Sequence, residues 1–317
     1  MSAMSLFTQM LMLFAMMVAG FLAFKTRIFD AVGQHQVSRI VVNILNPFLM
    51  FSALSGERPR GGLTLSLQNL VASILFYVFF IAASYIYYIL VSRTAPPKGD
   101  DGGADLHAVR LEQMMIIFSN IGFFGIPVVK AVFGDEYIIY LIFYMLLYNV
   151  VMYTLGMVLA TPAGNKGDFS LKSIINIGTI SSVIALICYF AGIPIPPTAG
   201  SFFSYMGNAC IPLSMILIGG SLAQLDLKEV FTDRRIYIYT LFRNILVPGV
   251  GILLLRMLPF DPVIVKICCL SIGMPIGTLV GMVAEQCAHR GNYCNKMTAM
   301  STIFSVVTVP LLSLLYL

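Results

Sequence analysis

The stretch SNIGFFGIPVVK, residues 119–130, decides the fold class expected for this chain. It lies inside a long apolar run and yet contains an asparagine, two glycines and Pro127. Proline removes a backbone donor and clashes with the preceding helical turn, and glycine removes the steric bias that keeps a helix regular. The stretch GMPIG, residues 273–277, has the same character in a second apolar run. We therefore predict two helices that are interrupted in the middle of apolar segments.

The composition around these stretches is that of a membrane protein. Of the 317 residues, 59% are apolar and 10% are charged, whereas about 25% are charged in an ordinary soluble domain. Apolar runs long enough to cross a hydrocarbon core of roughly 30 Å recur along the chain. Lipid offers the backbone no hydrogen bonds, and the runs lack the period-two alternation of a β-barrel, so they are expected to be helices. The expected fold class is an all-α membrane protein.

Polar residues divide the apolar sequence into ten expected transmembrane helices. They span residues 5–24, 35–55, 67–92, 111–133, 137–161, 171–192, 202–223, 236–258, 262–287 and 297–316. The longest polar connection, residues 94–108, has the composition of a flexible loop. With the N-terminus outside, the inner loops would hold thirteen basic residues and the outer loops five. Cytoplasmic loops are enriched in basic residues, so we predict a multi-pass protein of the cell (inner) membrane with both termini outside.

The ten helices divide into two halves of five, residues 1–161 and 171–317, joined by the short linker 162–170. Because each half has an odd number of spans, the second would insert upside down. Both halves carry an N-x-x-x-P element, Asn43–Pro47 in the second helix and Asn208–Pro212 in the seventh, and the interrupted stretches fall in the fourth and ninth. Interrupted segments at corresponding places in two inverted repeats indicate the binding site of a transporter.

The interruptions predict an anion site where the fourth and ninth helices cross. Pro127 and Pro275 are expected to be the first residues of two half-helices, whose positive dipole ends and free N–H groups would converge. A single proline could merely kink a transmembrane helix. Two interruptions at matching places, each accompanied by an N-x-x-x-P element, favour a site.

Amide side chains can bind a carboxylate without repelling it. The candidates in the predicted helices are Asn43, Asn46, Asn120 and Asn208. Each of them could instead form an interhelical hydrogen bond. The only carboxylates inside predicted spans are Glu112 and Glu285, both near the cytoplasmic ends, so sodium or proton coupling through a buried acidic pair is not supported. The expected substrate is a small organic anion.

Arg243 lies about seven residues into the predicted eighth helix, about 10 Å deep at roughly 1.5 Å per residue. We expect its side chain to extend to the inner surface; alternatively it attracts anions or pairs with Glu285 or Glu112. These three charged residues are the candidates for gating or coupling.

Tyr137, Tyr140, Tyr144 and Tyr148 form one stripe on the fifth helix. A packing seam is the simpler interpretation, although Tyr144, Tyr148 and the neighbouring Asn149 could reach a central cavity.

Other functional classes fit the sequence poorly. The basic residues are dispersed and form no stripe for nucleic acid. The six cysteines show no CxxC spacing, and Cys287, His289 and Cys294 match no zinc pattern, so we expect neither a metal nor another cofactor. An intramembrane protease would need a serine with a membrane histidine or paired membrane aspartates, and neither set lies in the expected spans. We therefore expect that the protein is not an enzyme.

Four stretches of the sequence resemble the auxin efflux carrier family. They are NILNPFLMFSAL in the second helix, SNIGFFGIPVVKAVFG in the fourth, IGGSLA at the end of the seventh and GMPIGTLVGMVAEQ in the ninth. The resemblance implies ten helices in two inverted five-helix repeats with crossing broken helices, similar to bile acid symporters and sodium/proton antiporters. It also implies a scaffold bundle of helices 1, 2, 6 and 7 and a transport bundle of helices 3–5 and 8–10 that moves as an elevator.

Members of that family move auxin in plants and malonate or malate in bacteria. The substrate-binding residues that the resemblance implies are Asn120 for the carboxylate, Pro127, Pro275, Gly277 and Thr278 at the crossing, and Asn208 on the scaffold side. The long cytoplasmic loop of plant carriers is missing here, which suggests a prokaryotic member. The expected function is alternating-access transport of a small carboxylate, auxin-like or malonate/malate-like. A symporter coupled to sodium or protons, a carboxylate sensor that does not transport, and a homodimeric assembly stay open as alternatives.

Overall fold

The computed structural model describes residues 3–54, 62–98, 103–162 and 175–316. Within these ranges the chain is helical, and paired extended backbone is limited to two isolated antiparallel bridges. The α-helices are α1 (Ala3–Lys25), α2 (Ala31–Ile40), α3 (Asn46–Ser52), α4 (Gly62–Thr94), α5 (Leu106–Ile117), α6 (Ile126–Phe133), α7 (Ile138–Val151), α8 (Met157–Ala160), α9 (Ile177–Ala191), α10 (Pro197–Ala223), α11 (Leu227–Thr232), α12 (Arg234–Leu241), α13 (Val247–Leu255), α14 (Pro262–Gly273), α15 (Leu279–Ala288) and α16 (Gly291–Ser313). The all-helical fold class is confirmed.

Six helical segments among the described residues are long and apolar enough to cross a membrane. They are Leu6–Lys25, Gly62–Thr94, Ile138–Ala160, Pro197–Ala223, Arg234–Leu255 and Gly291–Ser313. The predicted fourth and ninth helices are each divided into shorter pieces, and the described part of the predicted sixth is the short helix α9. Ten spans in two inverted repeats therefore stay a prediction. Residues 163–170 of the predicted linker, and residues 99–102 of the predicted long loop, lie outside the described ranges.

Some helices begin earlier than the apolar windows predict, because polar residues cap them. The side chain of Asp30 accepts a hydrogen bond from the N–H of Gly33 at 2.8 Å, and that of Asp105 accepts one from Ala108 at 3.0 Å. Such caps satisfy N–H groups that have no partner within the helix. Helices α2 and α5 thus start with a polar turn that a search for apolar runs leaves out.

Prolines widen three helical segments into π turns instead of breaking them. The turns and the prolines that follow them are Val41–Leu45 with Pro47 between α2 and α3, Ile121–Gly125 with Pro127 leading into α6, and Phe242–Leu246 with Pro248 between α12 and α13. A π turn accommodates the proline ring and the carbonyl that lacks its N–H partner. Pro127 therefore lies inside a helical segment that begins at Ile121, and the prediction that it starts a half-helix is wrong.

Glycines allow α1 and α10 to pack backbone against backbone. A Cβ atom on Gly219 would lie 1.9 Å from the carbonyl oxygen of Met17, and one on Gly20 would lie 2.2 Å from that of Ile216. Small residues at such contacts are typical of helix packing in membranes. Helix α10 also packs on α3, and α3 packs on α9. The segments around the two interruptions pack on α4, α7 and α16 beside this group.

We expect Gly219→Ala to lower the thermal unfolding temperature of the detergent-purified protein by several degrees. The new methyl group would overlap the backbone of α1, and overpacking of this kind costs roughly 1–3 kcal/mol. Gly249→Ala is the matched control, because a Cβ atom there meets no other atom within 4 Å. Equal unfolding temperatures for the two variants would contradict the close packing of α1 on α10.

Candidate functional site at the paired helix breaks

Both predicted interruptions are present. The first separates α5 from the helical segment that begins at Ile121, and the second separates α14 from α15. Met274 in the second break is extended, with φ −64° and ψ 148°, the conformation that a following proline favours. Pro275 therefore ends one helix instead of starting the next, and the prediction that it begins a half-helix is wrong.

The two breaks run antiparallel and complete each other's backbone hydrogen bonds. The N–H of Asn120 donates to the carbonyl of Pro275 at 2.7 Å, and the N–H of Gly277 donates to that of Phe118 at 2.8 Å. These bonds flank an antiparallel bridge between Ser119 and Ile276. Unpaired backbone groups cost several kcal/mol in lipid, which offers no hydrogen-bond partners. Each break avoids this cost by pairing with the backbone of the other.

The π turn between α12 and α13 braces both breaks with consecutive side chains. Arg243 donates from Nη2 to the Ser119 hydroxyl at 2.6 Å. Asn244 donates to the carbonyl of Ser301 at 2.8 Å and accepts from its hydroxyl at 2.7 Å. The Ser301 hydroxyl oxygen also accepts a hydrogen bond from the N–H of Ile276 at 3.1 Å. One arginine therefore holds the first break, and one asparagine holds the second through α16.

A cavity of about 100 Å³ lies against the paired breaks. Its lining is Val42, Asn46, Met50, Ser119, Asn120, Ile121, Gly122, Phe123, Met145, Tyr148, Asn149, Tyr153, Asn176, Gly178, Gly277, Thr278 and Leu279. These described lining residues include no carboxylate and no basic side chain. The first residues of the helices that follow both breaks are among them, and helix N-termini carry a partial positive charge on their unpaired N–H groups. We call this space the central cavity.

Two asparagines of the central cavity have buried amide atoms without a hydrogen-bond partner. They are Nδ2 of Asn120 and Oδ1 of Asn46, in side chains of residues that are 4% and 9% exposed. An unpaired buried polar atom costs roughly 1–3 kcal/mol, which a bound polar group would recover. The Asn120 nitrogen suits a carboxylate oxygen, and the Asn46 amide can present either atom by rotation.

Five of the predicted substrate-binding residues line the central cavity: Asn46, Asn120, Asn149, Gly277 and Thr278. Gly277 cannot be replaced there without displacing its neighbours. A Cβ atom on it would lie 2.9 Å from the Tyr148 hydroxyl oxygen and 3.3 Å from the carbonyl oxygen of Phe118. A side chain at this position would therefore crowd the tip of Tyr148 and the backbone of the first break.

The other predicted binding residues, Asn43, Asn208, Pro127, Pro275 and Tyr144, do not line the central cavity. Asn43 is exposed and donates to a carbonyl one turn earlier in its helix at 2.9 Å. Asn208 is also exposed and accepts a hydrogen bond from the Lys130 ammonium group at 2.8 Å. Tyr144 is buried, with its ring packed edge-on against Phe76. The helical phase of Asn43, Asn208 and Tyr144, which spacing to the nearest proline does not fix, turns these side chains away.

The charged residues predicted for gating or coupling form no pair with one another. Arg243 is fully buried, so the expectation that it extends to the surface is wrong. Glu285, whose side chain is 57% exposed, lies near the end of α15 and accepts a hydrogen bond from the N–H of Gly291 at 2.8 Å. Neither glutamate lies within 4 Å of the Arg243 guanidinium in the described structure.

Glu112 is fully buried and has four hydrogen bonds to its carboxylate. Arg235 donates to both oxygens, from Nε at 2.6 Å and from Nη2 at 2.7 Å. The hydroxyls of Tyr293 and Tyr87 donate at 2.6 and 2.9 Å. These contacts tie α5 to α12, α16 and α4. The geometry indicates a structural ion pair, and the alternative in which Glu112 pairs with Arg243 is wrong.

A second cavity, of about 220 Å³, lies between the start of α2, the end of α10 and the first turns of α15 and α16. Its polar lining includes Gln34, Ser221 and Asn295. Phe123 and Thr278 line this space and the central cavity alike. The basic-residue count predicts that this end of the protein is inside, so we call the space the inner vestibule.

Several residues of the site were missed by the sequence analysis. Ser119 and Asn176 line the central cavity, and Arg235 and Asn244 hold the surrounding helices. Asn176 has a signal that would have found it, because asparagine before an apolar run predicts a helix cap, and its side chain does accept from the N–H of Thr179 at 3.1 Å. The contacts of the two braces join residues more than fifty positions apart and leave no local pattern.

Long apolar helices around a cavity with both amide and apolar side chains in its lining, and two interrupted helices paired at its wall, define a multi-pass membrane protein of the transporter class. A family described as membrane transport protein matches residues 5–173 and 168–313. The chain therefore belongs to the membrane transport protein family. The predicted resemblance to auxin efflux carriers is confirmed at the level of this family.

Two relatives carry matching names. An uncharacterized transporter of Methanothermobacter thermautotrophicus is 24% identical over 306 residues, which cover 94% of this chain and 95% of the relative. An uncharacterized transporter of Saccharomyces cerevisiae is 41% identical over 54 residues, which cover 16% of this chain and 9% of the relative. Both names agree with a transport role and with the expectation that the chain is not an enzyme.

We expect Glu112→Gln to lower the thermal unfolding temperature of the detergent-purified protein markedly. Removing one partner of a buried ion pair costs roughly 3–5 kcal/mol, although water reaching the partly exposed Arg235 reduces this. Glu285→Gln is the matched control and should leave the unfolding temperature within about a degree of wild type, as surface changes usually do. A stable Glu112→Gln protein would contradict the structural role given to this carboxylate.

Proposed function

We propose that the protein is a secondary transporter that carries a small organic carboxylate anion across the membrane by alternating access. The observation that carries this proposal is the buried Nδ2 atom of Asn120, which has no hydrogen-bond partner and belongs to the lining of the central cavity. It is a donor at the N-terminal end of a helix, where partial positive charge favours an anion. No carboxylate among the described lining residues opposes a negative ligand.

The size of the central cavity favours a small substrate. Its volume of about 100 Å³ lies below the roughly 300–1,000 Å³ that accommodates drug-sized ligands. A substrate of the malonate or malate class is therefore favoured over one with a bicyclic ring, such as an indole acetate. The apolar residues Val42, Met50 and Met145 in the lining would contact its carbon chain.

The proposed mechanism uses two bundles. Helix α1, the segment from α2 to α3, α9 and α10 would form a scaffold, and the remaining helices would carry the paired breaks as a transport bundle. The glycine-mediated packing of α1 on α10 and the contacts of α10 and α9 with α3 support a rigid scaffold. We further propose two inverted halves, 1–161 and 171–317, both termini outside the cell (inner) membrane, and a prokaryotic origin.

Coupling to sodium or protons is the alternative within transport. Glu112 is saturated by Arg235 and two tyrosines, and Glu285 is exposed near the end of α15, so a coupling ion would have to use amide and carbonyl oxygens. The remaining alternative is a sensor that binds a carboxylate without moving it. A homodimer is compatible with each of these functions.

Flux in proteoliposomes tests the proposal and separates the alternatives. Vesicles would be assayed with labelled malonate, malate and indole acetate, each with and without a sodium gradient and a pH gradient. We expect uptake of at least one of the two small dicarboxylates. Uptake that requires a gradient would identify a symporter, binding without flux would identify a sensor, and failure of all three compounds both to bind and to move would overturn the carboxylate proposal.

We expect Asn120→Ala to raise the KM for the transported carboxylate by roughly 10- to 100-fold, because a hydrogen bond to a charged group contributes about 1.5–3 kcal/mol. Asn43→Ala is the matched control, since that exposed amide bonds to its own helix and should leave KM unchanged. An unaltered KM in Asn120→Ala, with both proteins incorporated equally, would remove Asn120 from the binding site.

A further inference from the structure

Arg243 is a fully buried arginine beside the paired breaks. Its Nε donates to the carbonyl of Met115 at 3.2 Å, and its Nη2 donates to the Ser119 hydroxyl at 2.6 Å. The guanidinium carbon lies 4.8 Å from the centre of the Phe80 ring. Its Nη1 is buried and has no hydrogen-bond partner in the described structure. Neutral groups thus fill most of its surroundings.

The charge of Arg243 has no carboxylate partner among the described residues. The acidic residue of α5, Glu112, already accepts hydrogen bonds from Nε and Nη2 of Arg235 and from two tyrosine hydroxyls. A buried charge is normally paired, because the desolvation of an isolated ion is costly. Carbonyl and hydroxyl dipoles and the Phe80 ring lower that cost only in part. The site therefore carries one uncompensated positive charge next to a cavity.

Ser119 connects this charge to the central cavity, which it lines. Its oxygen accepts a hydrogen bond from Arg243, and the hydroxyl donates to no acceptor in the described part of the chain. The proton of that hydroxyl is left for a ligand, and a bonded cation makes the hydroxyl a stronger donor. Ser119 is fully buried, so a carboxylate held by the adjacent residue, Asn120, would reach this hydroxyl after a small displacement of the cavity wall.

We propose that Arg243, acting through the Ser119 hydroxyl, is the fixed positive charge that a bound carboxylate balances, and that this pair selects a carboxylate over a neutral ligand of the same shape. The proposal rests on the function proposed above and extends it to the residues that set charge selectivity. Arg243 is a positioning residue, because it acts on the ligand through Ser119 and through the field of its charge.

A purely mechanical role is the competing explanation, since Arg243 also braces the first break. The two roles predict different behaviour. Loss of a brace lowers stability and weakens binding of charged and neutral ligands alike. Loss of the charge weakens binding of the anion and leaves a neutral isostere unaffected, and a lysine in place of the arginine restores part of the preference.

The test compares malonate with its neutral isostere malonamide in the full-length purified protein, using the ligand-induced rise in unfolding temperature and direct binding isotherms. The variants are Arg243→Met, Arg243→Lys and Ser119→Ala, with Arg256→Met as a control that removes a charge just after the end of α13, at a residue that does not line the central cavity. We expect malonate binding to weaken roughly 10- to 100-fold in Arg243→Met and by a smaller factor in Ser119→Ala. Arg243→Lys should be intermediate, and Arg256→Met should resemble wild type.

The outcomes separate this inference from the proposed function. If wild type prefers malonate and Arg243→Met keeps the same preference, the inference is overturned while carboxylate binding stands. If Arg243→Met does not fold, an unchanged preference in both Arg243→Lys and Ser119→Ala overturns it. If wild type binds neither compound and transports no carboxylate, the proposed function itself fails. A lost preference at unchanged binding of malonamide supports the inference.

Discussion

The structure depends on the need to satisfy backbone groups where two apolar helices stop. Residues 118–120 and 275–277 satisfy each other's backbone groups through two N–H to carbonyl hydrogen bonds, of 2.7 and 2.8 Å. Neither break is tolerable alone in a hydrocarbon environment, because each exposes peptide groups that only the other pairs. The pairing fixes where the two interrupted helices meet, and it brings the first turns of both following helices to the wall of one cavity. The partial positive charge at this cavity therefore follows from the way in which the two breaks are stabilised.

Side chains from a neighbouring helix make this arrangement rigid. The π turn at Phe242–Leu246 places Arg243 and Asn244 so that one holds the first break and the other holds the second through Ser301. About two turns earlier in the same helix, Arg235 binds Glu112 and joins α12 to α5. The proline that widens this helix is therefore not incidental. By inserting a residue it changes which face of the helix the following side chains occupy.

Sequence reasoning located the interruptions and the all-helical class because both follow from local chemistry. It also selected Asn46, Asn120 and Asn149, which line the central cavity. It failed where the outcome depends on helical phase or on distant partners. Pro127 widens a helix instead of starting one, Asn43 and Asn208 turn away from the cavity, and Arg243 bonds to a serine 124 positions earlier. An apolar window carries no information about which face a π turn presents or which side chain arrives from another helix.

The shared wall of the two cavities has a consequence for access. The inner vestibule and the central cavity are separated at Phe123 and Thr278, which belong to both linings. Phe123 is only partly buried, and the ring of such a residue can turn about its χ angles far faster than a helix can move. Merging the two spaces from that side would then need a swing of one aromatic ring and no displacement of the backbone. Entry of a solute into the central cavity and its slower translocation across the membrane would then be two separate steps with different rates.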